Sequence, residues 1–402
     1  MKTLFKTFRS ILQFFGLDVK LKKIYNETSY PKVKKVKNFI NLIKTYILGA
    51  IFYYNCSANT IFEKDNDKKV FYNLIKQKKY DFSKLLVSQG FNLLHYYLEK
   101  HKHHKKYDSW SSDNILTLVI DKMECPRTSG NHEKSKKLYK SKNGHYLINL
   151  ALVVGDNKEL FDLNSVLYDP DCNKTSIEVA LEMLQEVITF IKTHNIEMNR
   201  IRFSADREFL TKEVVNFCKD ENLSFITRAK NNTVFIDGDF KFNTRWLKGF
   251  LFHICFEDFR MSTQLNSWSD KHKKPRYKYW SKVFQSNYGA VKVVAVIESE
   301  KEITLKNFNR AIQILLCFNI NMTAIQIIEC YRGQRWQVEV FHKSWKRDIE
   351  VVKSYIGLSF IGLKNHYIFR ALSYLYLAKY RYDKGSWKGT IGQNKKKFAN
   401  KQ

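Results

Sequence analysis

The stretch from Tyr331 to Lys346, YRGQRWQVEVFHKSWK, sets one carboxylate among cations. Arg332, Glu339 and Lys346 are seven residues apart, so on a helix each lies two turns from the next with about 20° of drift. Arg335 and Lys343 stand four residues either side of Glu339, on the same face. A glutamate centred in a stripe of four cations suits chemistry on a phosphate, and Trp336, Val340 and Phe341 are left to pack to one side. An exposed helix laced with salt bridges has the same pattern. The functional reading therefore requires acidic partners elsewhere in the chain.

Asp121 and Asp206 are placed to supply them. Asp121 ends the continuous apolar run Ile115–Ile120 (ILTLVI), and Asp206 follows the short segment 200–205 (RIRFSA); both segments read as strands. Carboxylates at strand C-termini sit where open α/β sheets put their sites. Phosphodiester hydrolysis or transfer by two divalent ions needs carboxylates that clamp the ions about 3.5–4 Å apart. Oxygen donors favour magnesium or manganese over zinc, and flanking Arg and Lys neutralise phosphate oxygens. Two strand-end aspartates and a glutamate on a cation-striped helix match that chemistry. Glu124 and Asp113 are alternatives to Asp121, but only Asp121 ends the apolar strand; Glu208 reads as support for the site.

The elements that must position these groups follow an α/β order. After Asp121, the run Tyr146–Val154 (YLINLALVV) gives a second buried strand. Thr175 to Glu178 is a capping box opening a helix with Ile177, Leu181, Leu184, Ile188 and Ile191 on one face. A helix near 211–221 and a strand at 223–228 (LSFITR) come next. Residues 232–303 read as β-rich, with TVFIDGDF, FLFHICFEDF, KYWSKVFQ and VKVVAVIE as strands, and the chain returns to helix from about Leu305. Residues 1–107 are basic and mostly helical: the first forty hold ten Lys/Arg against Asp18 and Glu27. Histidines and lysines alternate through His101–Lys106, the pattern of a solvated basic linker and not of a metal site. The expected organisation is thus a helical basic DNA-binding domain (1–107), a catalytic core in two parts (108–231 and 304–378) split by a β-rich insertion (232–303), and a basic tail (379–402).

With these residues in view, the sequence resembles the DDE transposases of bacterial insertion sequences, in the subgroup named for its YREK signature. Arg335, Glu339 and Lys346 reproduce the signature spacing within RWQVEVFHKSWK. SADREF followed by FITRAKNN resembles the second-aspartate block, and LTLVIDKMECPR the first; the resemblance covers about residues 115–375. Tyr331 precedes Arg335 by four positions where the family has three, and Arg332 can share its role. The resemblance implies a ribonuclease-H-like α/β core with a β-rich insertion. It implies that Asp121, Asp206 and Glu339 are catalytic and hold two Mg²⁺ ions, with Mn²⁺ as a substitute. Tyr331, Arg332, Arg335, Lys343 and Lys346 are then the DNA-binding residues, and double-stranded DNA, as element terminal repeats and as target, is the partner. Cut-and-paste transposition by a homodimer, in the cytoplasm at the nucleoid, follows from the same resemblance.

Composition agrees and excludes other classes. The 402 residues carry 69 Lys+Arg against 39 Asp+Glu, a formal charge of +30, with 44% hydrophobic residues, so the chain folds and its partner is a polyanion. A membrane is the competing polyanion, but the longest uncharged apolar run, Thr45–Tyr54, is far short of the ~20 residues of a spanning helix. The N-terminal pattern Leu4, Phe5, Phe8, Ile11, Leu12, Phe15 reads as a docking helix, with no secretory signal. Seven scattered cysteines, none spaced CxxC, read as reduced thiols. No GxxxxGK[ST] loop is present, so no nucleotide cofactor is expected. Trp246, Trp268 and Trp280 in the insertion read as core or surface residues before base-stacking ones. Two other readings are a metal-dependent nuclease of the same fold and a catalytically inactive DNA-binding relative; a glycosidase pairs carboxylates too, but has no need of this charge.

Overall fold

Apolar residues at three- and four-residue steps make the N-terminal quarter helical: α1 Leu17–Asn26, α2 Val36–Phe52, α3 Asp65–Ile75 and α4 Ser83–Lys102. The computed structural model describes residues 10–27, 36–52, 61–62, 64–78, 80, 82–102, 116–126, 133–138, 143–154, 159–194, 198, 201–253, 260–262, 277–298, 303–304, 306–349, 359–383 and 393. Asp113, Cys56, Cys255, Trp268, His103–Lys106 and the tail lysines Lys395, Lys396, Lys397 and Lys401 lie outside them. No helix among the described residues is long and apolar enough to cross a membrane.

The sheet begins with β1 Leu116–Pro126, β2 Asn143–Val154, β3 Glu159–Leu167, β4 Ile201–Ala205 and β5 Ser224–Arg228. β2 runs antiparallel to both β1 and β3, whereas β4 is parallel to β1 and β5 is parallel to β4. The spatial order 3-2-1-4-5 is that of a ribonuclease-H-like core. Helix α5 Ser176–Thr193 makes the connection from β3 to β4, and α6 Lys212–Asp220 that from β4 to β5. The capping box forms as the sequence predicts: the Glu178 N–H donates to Thr175 Oγ1 at 3.2 Å and the Thr175 N–H to Glu178 Oε2 at 2.6 Å.

Beyond β5 come β6 Val234–Asp237, β7 Phe240–Asn243, α7 Thr244–His253, β8 Tyr277–Ser286, β9 Gly289–Glu298 and β10 Gln313–Cys317. β10 pairs antiparallel with both β5 and β9, so these strands extend the core sheet edge to edge; with the short strands Lys136–Lys137 and Arg260–Ser262, twelve strands among the described residues form one sheet. Two expectations fail here. The start of FLFHICFEDF is helical, because Leu247, Phe250 and Leu251 share a helical face and Asn243 Oδ1 caps the Trp246 N–H at 2.9 Å. The segment after Leu305 is interrupted by β10, a five-residue apolar run too short for periodicity to tell strand from helix.

The chain then forms α8 Ala324–Ile328, a π-helical turn Glu329–Gln334, α9 Trp336–Arg347 and α10 Phe360–Asp383. α10 packs with the N-terminal helices and the sheet in one hydrophobic core running from Ile11 to Ala378. Asn365 Nδ2 donates to the Ile75 carbonyl at 2.8 Å, Ser373 Oγ to that of Ile47 at 2.9 Å, and Tyr376 Oη to Gln89 Oε1 at 2.6 Å. His366 has Nδ1 2.8 Å from Tyr46 Oη of α2. On α4, Gly90 allows close approach to the sheet: a Cβ there would stand 2.8 Å from the Leu163 carbonyl oxygen of β3. Among the described residues, Cys125, Cys172, Cys218, Cys317 and Cys330 are not joined in disulfides.

Candidate active site

The parallel pairing of β1 with β4 ends at Ile120 and Ala205. Asp121 and Asp206 are the next residues on their strands, so the point where two neighbouring strands part puts the two carboxylates side by side. Each is oriented by its own backbone: Asp121 Oδ1 accepts the Lys122 N–H at 2.9 Å, and Asp206 Oδ1 accepts that of Arg207 at 2.8 Å. Alternation along β1 points Glu124 to the opposite face from Asp121. Glu208 pairs with Lys122 Nζ at 2.7 Å.

The third carboxylate arrives on α9, and the π-helical turn before it fixes the phase. The Arg335 N–H donates to the Cys330 carbonyl at 2.9 Å, an i→i−5 bond. Such a turn holds one residue more than an α-turn. The four-residue step from Tyr331 to Arg335 therefore does the work of three on a regular helix, and the Tyr331 ring centroid lies 5.4 Å from the Arg335 guanidinium.

Arg335 is the centre of the site. Its Nη2 is 3.2 Å from Asp121 Oδ2 and 3.9 Å from Asp206 Oδ1, and its Nη1 is 3.7 Å from Glu339 Oε1. One guanidinium thus gathers all three acidic residues that the sequence singles out. The Asp121 and Arg335 side chains are each 10% exposed, against 42% for Asp206 and 39% for Glu339. Burial pushes the Asp121 carboxyl up to about 6, even though Arg335 and the Lys122 N–H pull it down. Asp206, Glu339, Tyr331 and Arg335 open on a cleft of ≈ 460 Å³ whose far wall carries Tyr277 and Glu298 of the insertion. A larger cavity, ≈ 850 Å³, lies between β3, α5 and the start of α10 and contains none of these groups; chemistry, not size, selects the smaller cleft.

The four predicted cations do not form one stripe, because the π-helical turn breaks the helical phase between Arg332 and Glu339. Arg332 crosses the cleft, with Nη1 3.5 Å from Glu298 Oε1 and its guanidinium 5.3 Å from the Tyr277 ring centroid. Lys343 lies over Trp336 at 5.3 Å, and the charge of Lys346 is felt by His342 and Cys125, farther along the helix. Trp336 and Val340, expected to pack, are 52% and 39% exposed, whereas Phe341 is buried as predicted. In the insertion, Trp246 is half-exposed and stacks on Phe250 with centroids 5.3 Å apart. Arg228, at the end of β5, lines the cleft beside Asp206 and was not singled out by sequence reasoning; its signal is a cation at a strand C-terminus next to an already chosen aspartate.

Three carboxylates facing one guanidinium leave a surplus of negative charge, and all their donor atoms are hard oxygens, as divalent magnesium or manganese requires. Arg335 Nε is buried with no hydrogen-bond partner among the described residues, so this cation is incompletely held. Among the described residues, no three Asp, Glu, His or Cys side chains are close enough as they stand to grip an ion. Arg335 occupies the space between them. The donor set fits divalent ions once that guanidinium turns aside.

Residues 115–375 match the transposase DDE domain, and the chain belongs to that family. The match spans all three carboxylates and carries the general function, that of a DNA transposase; the family as a class uses divalent metal ions. No curated protein matches the chain. Among solved structures it is similar to Ciona intestinalis endonuclease V, crystallised with a 24mer DNA containing an inosine followed by a ribo-adenosine. That likeness is 11% in identity, covers 56% of this chain and 81% of the other, and has a TM-score of 0.25.

Proposed function

We propose that this chain is a cut-and-paste transposase of the YREK-signature subgroup that acts on the double-stranded ends of its own insertion sequence. The reading rests above all on the convergence of Asp121, Asp206 and Glu339 within 3.9 Å of the Arg335 guanidinium. Asp121, Asp206 and Glu339 would hold two Mg²⁺ ions, or Mn²⁺ in their place. Such ions supply an activated oxygen nucleophile and charge stabilisation at the leaving oxygen.

The side chains divide the remaining work. Asp121, buried and fixed by the Lys122 N–H, is the rigid ligand, while the more exposed Asp206 and Glu339 face the substrate. Arg335 keeps the carboxylates together in the ligand-free protein. With the acidic cluster neutralised, its guanidinium is released to a phosphate oxygen, which it can grip bidentately. Tyr331 supports it through the ring contact. Arg332, Lys343 and Lys346 line the approach to Glu339 and hold flanking phosphates, and exposed Trp336 offers a face on which an unpaired base stacks. Arg228 takes a phosphate on the Asp206 side. The resemblance to the family supplies the sequence of steps: hydrolysis of one strand, attack of the freed 3′-hydroxyl on the other to form a hairpin, reopening, and joining to target DNA. The basic N-terminal helices bind the terminal repeats, and a homodimer at the nucleoid pairs two ends.

The four-residue step between Tyr331 and Arg335 would favour an inactive relative if it displaced the tyrosine. The π-helical turn absorbs it, which supports the active reading. The test is incubation of the purified protein with a labelled element end and Mg²⁺. Asp206→Asn and Glu339→Gln should each slow strand cleavage by about 10³-fold or more, the several kcal/mol that metal-assisted stabilisation supplies, with DNA binding retained. Cleavage by either variant at the parental rate would refute the assignment, and hydrolysed ends without joined products would reduce the protein to a nuclease.

A further inference from the structure

Glu339 is held no better than the helix that carries it. Phe341 and Trp345 bury α9 by area, at 1% and 0% exposure, and apolar packing of this kind tolerates small shifts. Directional bonds fix a helix more tightly, and among the described residues two run from α9 and its N-cap to the core sheet. One is Arg335 to Asp121. The other begins at His342, seven residues on, which on a helix is two turns or about 10 Å; Glu339 lies between these points.

His342 Nε2 is 3.2 Å from Asn149 Oδ1 on β2. Asn149 Nδ2 donates to Ser165 Oγ on β3 at 2.6 Å, and Ser165 Oγ lies 2.9 and 2.8 Å from the two carboxylate oxygens of Asp162. The chain of donors has one direction. The Asn149 amide N–H donates to a lone pair of Ser165 Oγ, and the Ser165 hydroxyl donates to an Asp162 carboxyl oxygen, which accepts whether or not that group carries its proton. The Asn149 carbonyl is then served by an Nε2–H of His342. All four side chains are buried, Asn149 and Asp162 completely. Burial keeps the His342 imidazole neutral, pushed down to about 3 with help from the nearby Lys346 and Arg335 charges.

The register places this relay against the site. Asn149 is the cross-strand partner of Asp121, and Ser165 is the cross-strand partner of Asn149. Directly opposed residues put their side chains on the same face, about 5 Å apart at Cβ. Asp121, Asn149 and Ser165 thus form a polar row across three strands, and α9 is bonded to two adjacent members of it.

We infer that His342 and Asn149, backed by Ser165 and Asp162, are positioning residues that set the rotation and axial register of α9 and so hold Glu339 in reach of Asp121 and Asp206. This role rests on the transposase reading for its catalytic consequence, but the mechanical part stands apart from it. Misplacement of a reacting group by about 1 Å costs about 10²-fold in rate.

The test uses full-length protein with His342→Leu, His342→Gln and Ser165→Ala. His342→Leu should lower the single-turnover cleavage rate at saturating element-end DNA by about 10- to 100-fold, with the Kd for that DNA changed by less than about twofold. His342→Gln, whose amide N–H reaches the same acceptor, should recover most of the rate. Ser165→Ala, a small change remote from α9, should give an intermediate loss. Amide hydrogen exchange over residues 336–347 should quicken in His342→Leu and return towards the parent in His342→Gln, with β1 and β4 unchanged. A parental rate in His342→Leu, a rate loss matched by weaker DNA binding, or unaltered exchange in α9 would overturn the inference. If the parent itself cleaves nothing, the transposase reading fails while the exchange measurement still decides the relay.

Discussion

Two carboxylates, Asp121 and Asp162, are buried on one sheet and treated in opposite ways. Burial pushes both upward, Asp121 to about 6 and Asp162 to about 7. Asp121 faces the Arg335 guanidinium with two further carboxylates at the edge of a cleft; Asp162 faces the Ser165 hydroxyl, with no cation paired to it among the described residues. The first is a charge with a replaceable partner and room for another cation. The second is sealed behind a neutral hydrogen-bond chain that nothing from solvent can replace. Buried charge alone therefore does not mark a reactive site; an exchangeable counter-charge does.

Three measurements would sharpen or break that contrast. The largest effect expected is on the pH dependence of stability. A carboxyl whose folded value lies above its unfolded one of 3.8 binds its proton more tightly in the folded state, so stability is full below about 4 and is lost as pH rises through about 7. For Asp162 the loss between pH 4 and pH 8 should be about 4 kcal/mol. Urea unfolding of Asp162→Asn should show that part of the slope removed, whereas millimolar Mn²⁺ should remove only the part belonging to Asp121, lost as pH rises through about 6. A slope unchanged in Asp162→Asn would end the comparison.

Arg335→Gln leaves the acidic cluster without its cation. It should destabilise the metal-free protein near pH 8 by about 3 kcal/mol, since breaking a buried pair strands the remaining charge. Added Mn²⁺ should restore more stability to this variant than to the parent, as read by thermal unfolding. Equal shifts in both would mean that Arg335 and the ion do not share a place. The smallest effect belongs to Lys343, which rests on an exposed indole. Lys343→Ala should leave the unfolding midpoint unchanged and reduce the slope of log Kd against log salt for DNA by about 1; an unchanged slope would remove it from the DNA path.

Much of the site is legible in the sequence because its chemistry is carried by residues in plain positions. Asp121 stands at the end of an apolar run and Asp206 at the end of a short strand segment, and strand ends are where neighbouring chains diverge. Glu339 is flagged by the cations around it. The π-helical turn is not legible, because YRGQR reads as ordinary helix and the i→i−5 bond depends on what surrounds it. The row across the sheet is hidden for another reason. In YLINLALVV the single polar residue, Asn149, looks like a tolerated exception, and only the register reveals Asp121 on one side of it and Ser165 on the other. Strand β10 is too short to declare itself, and α7 hides among aromatics that suit a strand as well as a helix. The α/β order of the core is legible from buried strands and a capped helix, but β3 is not, because Asp162, Asn164 and Ser165 break up its apolar residues.

The union of β5 with β10 makes both walls of the cleft parts of a single sheet, with Asp206 projecting from one region and Glu298 from another. Bending between β5 and β10 would break a ladder of backbone bonds. The width of the cleft is therefore set by the twist of the sheet, and it is side chains that must admit the substrate. Arg332, bridging from the π-helical turn to Glu298, is then a bolt across a fixed doorway: sliding it opens the path to the carboxylates without moving either wall.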